Sequence, residues 1–237
     1  MAEHKAYLKE SATAPLKEVK LRTPTPTGGQ LLVEVLATRI VHYTKKQSLG
    51  FPAIYPLVPG GGAIGRVVAV GEPISTGFLP GMLVLCDPTV RARDDPSGHT
   101  IMLQGLFSGI SEASARVMRN EFRDGAWAQK MLIPVENATV LDEDELITKQ
   151  GYSIPQLTHI CSLVLPLGGF EKVRLKAGEQ VIVAPATGHF GGCAVLVALA
   201  LGASKVIVLG RDRQALQYLA SLDPLKRVHP VPITSDA

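Results

Sequence analysis

The stretch VIVAPATGHFGGCAVLVALALGASKVIVLGRDR, from Val181 to Arg213, decides how this chain folds. A short apolar run, Gln180–Ala184, stops at a turn bearing proline and glycine. A small-residue segment of helical length, Gly191–Leu201, follows, and then a second apolar run, Lys205–Leu209. Short continuous apolar runs flanking a helix are what a parallel pair of strands covered on both faces requires, so the spacing predicts a βαβ unit. Gln214–Leu222 suits a further helix. Val228–Ile233 reads as a third strand, although Pro230 and Pro232 remove ladder donors there.

The turn itself carries chemistry. Ala186, Gly188 and Gly191 fall on the three positions of a dinucleotide fingerprint, with alanine in place of the first glycine. A helix opening behind such a turn offers free N–H groups and a positive dipole end to a pyrophosphate. The triplet alone is weak; the order strand, turn, helix, strand is what strengthens it. Thr187 and His189 sit in the same turn, His189 facing either phosphate or solvent. At the end of the second strand Gly210 stands where an acidic residue would bind the ribose of NAD. Arg211 and Arg213 follow, and their forked donors suit the 2′-phosphate of NADP. Asp212 either turns outward or caps the next helix. The plainer reading is that the glycines serve close packing and the arginines are solvated.

Composition bounds the rest. The 237 residues are 46% hydrophobic and 19% charged, enough to bury a core, and the longest apolar candidate, Cys193–Leu201, falls well short of the roughly 18 residues a membrane span needs. The N-terminal MAEHKAYLKE places charges where a secretory signal would be apolar, which predicts a cytoplasmic protein. Cys86, Cys161 and Cys193 are odd in number and widely spaced, as reduced thiols are. A formal net charge of +3, with scattered lysines and arginines, argues against nucleic acid as a partner.

Up to about Pro134 the pattern is of short strands bounded by Gly and Pro: Gln30–Leu36, Gly65–Val70, Met82–Cys86 and Ala128–Ile133, with one helix within Ser111–Arg123. Four motifs appear there in order: GGQLLVEVLATRIVHYT, PGGGAIGRVVAVG, the GMLVLCD of Gly81–Asp87, and the DGAWAQKMLIP of Asp124–Pro134. Together with the glycine turn they resemble the medium-chain dehydrogenase/reductase family from about Lys5 to Leu222, nearest to fungal alcohol-dehydrogenase-like members. The resemblance implies an α/β protein with a β-rich N-terminal part: a GroES-like β domain over 1–152 and an incomplete Rossmann parallel sheet over 153–237, the active site lying between them.

The departures bear on mechanism. Zinc-dependent relatives carry a cysteine where this chain has Val41, and the His-Glu pair of their PGHE falls on Gly61 and Gly62. Valine and glycine supply no donor for zinc, and no cysteine pair has CxxC spacing, so no bound metal is expected. Zinc-free relatives such as enoyl and quinone reductases transfer hydride from NADPH and need another proton donor. The resemblance puts Tyr43 in the proton-relay position with His42 beside it, against the alternative that both merely fill space. Tyr55 is a lesser candidate.

A full fold of this kind has strand order 3-2-1-4-5-6, and this chain offers at most the first three. Strand 1, Val181–Ala184, is then expected to be an open edge, covered by self-association or by another chain. The function expected is NADPH-dependent, zinc-independent reduction of a small carbonyl or enone. The alternatives are a non-redox cyclase, dehydratase or isomerase using Tyr43, His42 or Asp87, and a catalytically silent partner of a full-length reductase.

Overall fold

A computed structural model describes residues 2–41, 44, 50–73 and 77–234. The first two strands, β1 (Glu3–Lys9) and β2 (Leu16–Arg22), form an antiparallel hairpin. Alternating charges leave one apolar stripe along β1, on which Ala6 is 2% exposed.

Strand β3 (Gln30–Thr38) is the centre of the first unit. It pairs antiparallel with β4 (Ala63–Val70), which in turn pairs with β5 (Leu83–Cys86). A small ribbon follows, β6 (Thr89–Arg91) with β7 (Ile101–Leu103), and then helix α1 (Glu112–Asn120). Ser111 starts that helix by accepting from the Ser114 N–H, and Met118 is its buried anchor. Strands β8 (Lys130–Pro134) and β9 (Ala138–Val140) close the five-stranded order β8-β3-β4-β5-β9. Leu31, Val33, Val67, Val84 and Ile133 fill its core, because period-2 alternation turns them all to one face. A second cluster, Leu57, Val90, Met102, Met118 and Phe122, packs α1 against the small ribbon.

After a single π-helical turn, Asp144–Lys149, comes the short helix α2 (Ile154–Leu157), which packs on β3 and β4. The chain divides into units at Met1–Thr158 and His159–Ala237, beyond the expected 152/153, because α2 belongs to the first sheet.

The second unit opens with α3 (Ile160–Val173), which the sequence pattern had not suggested because Pro166, Gly168 and Gly169 interrupt it. The expected βαβ unit follows. It consists of β10 (Gln180–Val183), α4 (His189–Ala200), β11 (Lys205–Gly210), α5 (Arg213–Ser221) and β12 (Val228–Pro232). The strands are parallel in the order β10-β11-β12, so β10 ends the sheet and Ile182 on it is 67% exposed. Val206, Val208, Ala198 and Leu216 form a fully buried core between sheet and helices.

One ion pair anchors the far end of this unit. Arg227 holds Asp223 through Nη2–Oδ1 at 3.0 Å and Nε–Oδ2 at 3.2 Å, and the carboxylate is almost wholly buried. Hydrogen bonds from Arg227 keep the Asp223 carboxyl below its ordinary 3.8. A depressed folded-state pKa means the stabilisation is complete above 3.8 and fades as pH falls through the lower folded value. Asp223→Asn is expected to lower the melting temperature by roughly 5 °C at pH 7, with the gap to the parent chain closing below pH 4. Calorimetry across that pH range checks both parts.

Candidate functional site

Three backbone features make the turn after β10 a cradle. Ala186 is fully buried, and its N–H donates to the Leu209 carbonyl at 2.8 Å, fixing the turn to the end of β11. Gly188 is the N-cap of α4 with extended backbone; it contributes no side-chain acceptor, and a Cβ there would meet nothing within 4 Å. Gly191 sits where α4 crosses the turn, and a Cβ on it would lie 2.1 Å from the Pro185 carbonyl oxygen. One glycine therefore leaves room for a ligand, and the other permits the helix to approach.

Gly210 ends β11 beside this turn. A Cβ there would stand 2.7 Å from Thr187 Cγ2 and 3.1 Å from its Oγ1, so Thr187 occupies the space an acidic side chain at 210 would need. Asp212, the carboxylate two residues on in sequence, is committed elsewhere: it caps α5, its Oδ1 accepting from the Ala215 N–H at 3.0 Å. Arg211 and Arg213 are exposed and make no ion pair among the described residues. His189 turns its imidazole toward α3, where Nε2 meets Ser162 Oγ at 2.8 Å, and its ring stacks edge-on against Phe190. That contact was not legible beforehand, because α3 itself was not.

In the first unit, two of the motif segments meet. The Thr38 hydroxyl at the end of β3 donates to the Gly62 carbonyl at 3.1 Å, which ties the segment before Val41 to the Gly61–Gly62 pair. Val41 heads a turn with Thr44, its N–H donating to Thr44 Oγ1 at 3.1 Å. Neither Val41 nor the two glycines presents a metal donor, so this donor set does not fit zinc. Trp127 packs on Gly60, and its buried indole N–H has no acceptor among the described residues. Tyr43 and His42 lie outside the described residues. Tyr55 is partly buried against the Leu57–Met118 cluster, and desolvation raises its hydroxyl pKa. Asp87 shapes a turn, Oδ1 accepting from the Thr89 N–H at 2.8 Å.

An antiparallel β unit followed by a parallel sheet with a glycine turn at its first crossover is the architecture of a GroES-like domain joined to a Rossmann-type domain. Residues 27–143 match the alcohol dehydrogenase GroES-like domain. The acryloyl-coenzyme A reductase of Metallosphaera sedula is 27% identical over 198 residues, 83% of this chain and 55% of that protein. Among solved structures, a zinc-binding dehydrogenase from Sinorhizobium meliloti 1021 bound to NADP superposes with a TM-score of 0.76 at 21% identity, covering 98% of this chain and 62% of that one. An alcohol dehydrogenase from E. coli CFT073 complexed with NADH gives 0.77 at 18%, covering 100% and 64%. The chain thus spans little more than half to two thirds of the length of these relatives. Its first unit thus contains an alcohol dehydrogenase GroES-like domain, and the chain as a whole shares the fold of these dehydrogenases.

Proposed function

We propose that the protein is a zinc-independent oxidoreductase of the medium-chain dehydrogenase/reductase family that takes NADPH and acts on a small carbonyl or enone. The observation that carries the nucleotide reading is the junction of the β10 turn with the end of β11. Gly188 and Gly191 leave a phosphate cradle at the start of α4, while Gly210 offers no carboxylate to a ribose and Thr187 fills the place of one. Ala186, Thr187, Gly188 and Gly191 would hold the pyrophosphate side, and Arg211 and Arg213 the 2′-phosphate. The nucleotide would supply the hydride. Zinc independence rests on the donor set, since Val41, Gly61 and Gly62 leave the metal no ligand.

Calorimetric titration tests the reading. NADPH is expected to bind about tenfold more tightly than NADH, and Arg211→Ala with Arg213→Ala to erase the difference. A parent chain that prefers NADH, or binds neither, ends the proposal. Reduction of small enones by NADPH, unaffected by a strong chelator, is the expected activity.

The open edge of β10 supports association with a second chain, because an apolar, uncharged edge strand invites pairing. Sedimentation is expected to show a dimer; a strict monomer contradicts this part.

A further inference from the structure

On the reading that the turn after β10 holds a nicotinamide nucleotide, something must set the choice between its two forms. We propose that Thr187 is a specificity-determining residue: the two branches of its side chain close the end of β11 to the acidic side chain that would take a free ribose. Position 210 then cannot be turned toward NADH while threonine stands at 187.

Residues 187 and 210 are held face to face by their neighbours. The Ala186 N–H donates to the Leu209 carbonyl at 2.8 Å, one residue before each of them, and the Gly210 carbonyl accepts from the Ile233 N–H at 2.9 Å. Neither backbone retreats without straining a hydrogen bond. Gly210 is buried, and a Cβ built on it would stand 2.7 Å from Thr187 Cγ2, 3.1 Å from Thr187 Oγ1 and 3.4 Å from Leu216 Cδ2. The last is an ordinary contact, so the obstruction comes from Thr187.

A clash with a side chain is usually relieved by rotation, and here rotation fails. Threonine carries two heavy atoms on Cβ and three staggered positions in which to put them. Both heavy atoms face Gly210, so turning one of them away swings the other into a facing position, and every rotamer leaves at least one such position filled. Alanine at 187 would fill neither. Valine, with threonine's shape and no hydroxyl, would fill them as threonine does. A carboxylate at 210 would accept from the ribose hydroxyls of NAD and repel the 2′-phosphate of NADP. Glycine there is a gap that one substitution could close; Thr187 makes that substitution unproductive.

Calorimetric titration of the full chain with NADPH and with NADH tests this on variants that all keep the N–H of residue 187. Gly210→Asp alone is expected to gain less than about twofold for NADH, whether through a displaced carboxylate or through loss of the fold. Thr187→Ala combined with Gly210→Asp is expected to fold and to bind NADH about tenfold more tightly than the parent chain does. Thr187→Val combined with Gly210→Asp is expected to behave like Gly210→Asp alone, which separates shape from hydroxyl. Melting without nucleotide reads the contact itself: Gly210→Ala is expected to cost about 5 °C in the parent and Thr187→Val chains and less than about 2 °C in the Thr187→Ala chain. An equal cost in all three chains, or a Gly210→Asp chain that gains NADH as strongly as the double variant, overturns the proposal. A parent chain that binds neither nucleotide ends the nucleotide reading and this proposal with it. A parent chain that prefers NADPH, while Thr187→Ala leaves Gly210→Asp unimproved, ends this proposal alone.

Discussion

Gly191→Ala is expected to destabilise the second unit by about 3 kcal/mol, whereas Gly192→Ala, one residue on, is expected to stabilise it by roughly 0.5–1 kcal/mol. Both glycines lie in the first turn of α4. A helical glycine normally costs stability through backbone entropy, so alanine improves it wherever there is room. At 192 there is room, the nearest atom being a Leu219 methyl 3.8 Å from the new carbon. At 191 the new carbon lies 2.1 Å from the Pro185 carbonyl oxygen and 2.9 Å from Ala186 Cα, and these are backbone atoms that the β11 contact holds in place. Relief requires α4 to lift off the turn, which opens the phosphate cradle as well. Hydrogen exchange of the β11 amides reads the opening free energy of this unit directly. NADPH binding is expected to vanish in the first variant and persist in the second. Equal effects at the two positions would mean that the turn and helix are not in close contact.

The same residues show why the second unit was legible in advance and where legibility stopped. Short apolar runs at 180–184 and 205–209 on either side of a small-residue helical segment read as strands, and the glycine spacing between them marks the crossover, so β10, α4 and β11 follow from local pattern. Helix α3 did not follow, since Pro166 and the Gly168–Gly169 pair are breakers that packing on α4 overrides. Losing α3 from the sequence reading also hid the Ser162–His189 contact, which is a tertiary fact with no local signature. Strands β1 and β2 were missed for a related reason: a two-stranded ribbon open to solvent carries lysines and glutamates and shows only a weak alternation. Asp212 was read as either free or capping; the Ala215 N–H settles it as a cap.

Gly125→Ala is expected to cost the first unit about 3 kcal/mol or more. Three backbone segments cross at this residue. A Cβ on Gly125 would stand 2.1 Å from the Gly60 carbonyl oxygen and 2.8 Å from Gly105 Cα, and one on Gly105 would meet the same oxygen at 2.4 Å. Gly60 and Gly105 also have φ of +108° and +70°, which side-chain-bearing residues rarely adopt. The crossing is locked by hydrogen bonds, Gly125 N–H to the Val58 carbonyl at 2.8 Å and Ala126 N–H to the Gly60 carbonyl at 3.0 Å, so no segment can retreat without breaking one. This gives a physical reason for the glycines in PGGGAIG and DGAWA: the two motifs are the two sides of one contact. Gly61 supplies the control, since a Cβ there would lie 3.7 Å from Pro88 Cγ and alanine is expected to change stability by less than about 0.5 kcal/mol. Trp127, the single tryptophan of the chain, sits against Gly60, so its fluorescence during urea unfolding reports this unit alone. A Gly125→Ala midpoint indistinguishable from that of Gly61→Ala would show that the crossing is looser than its distances state.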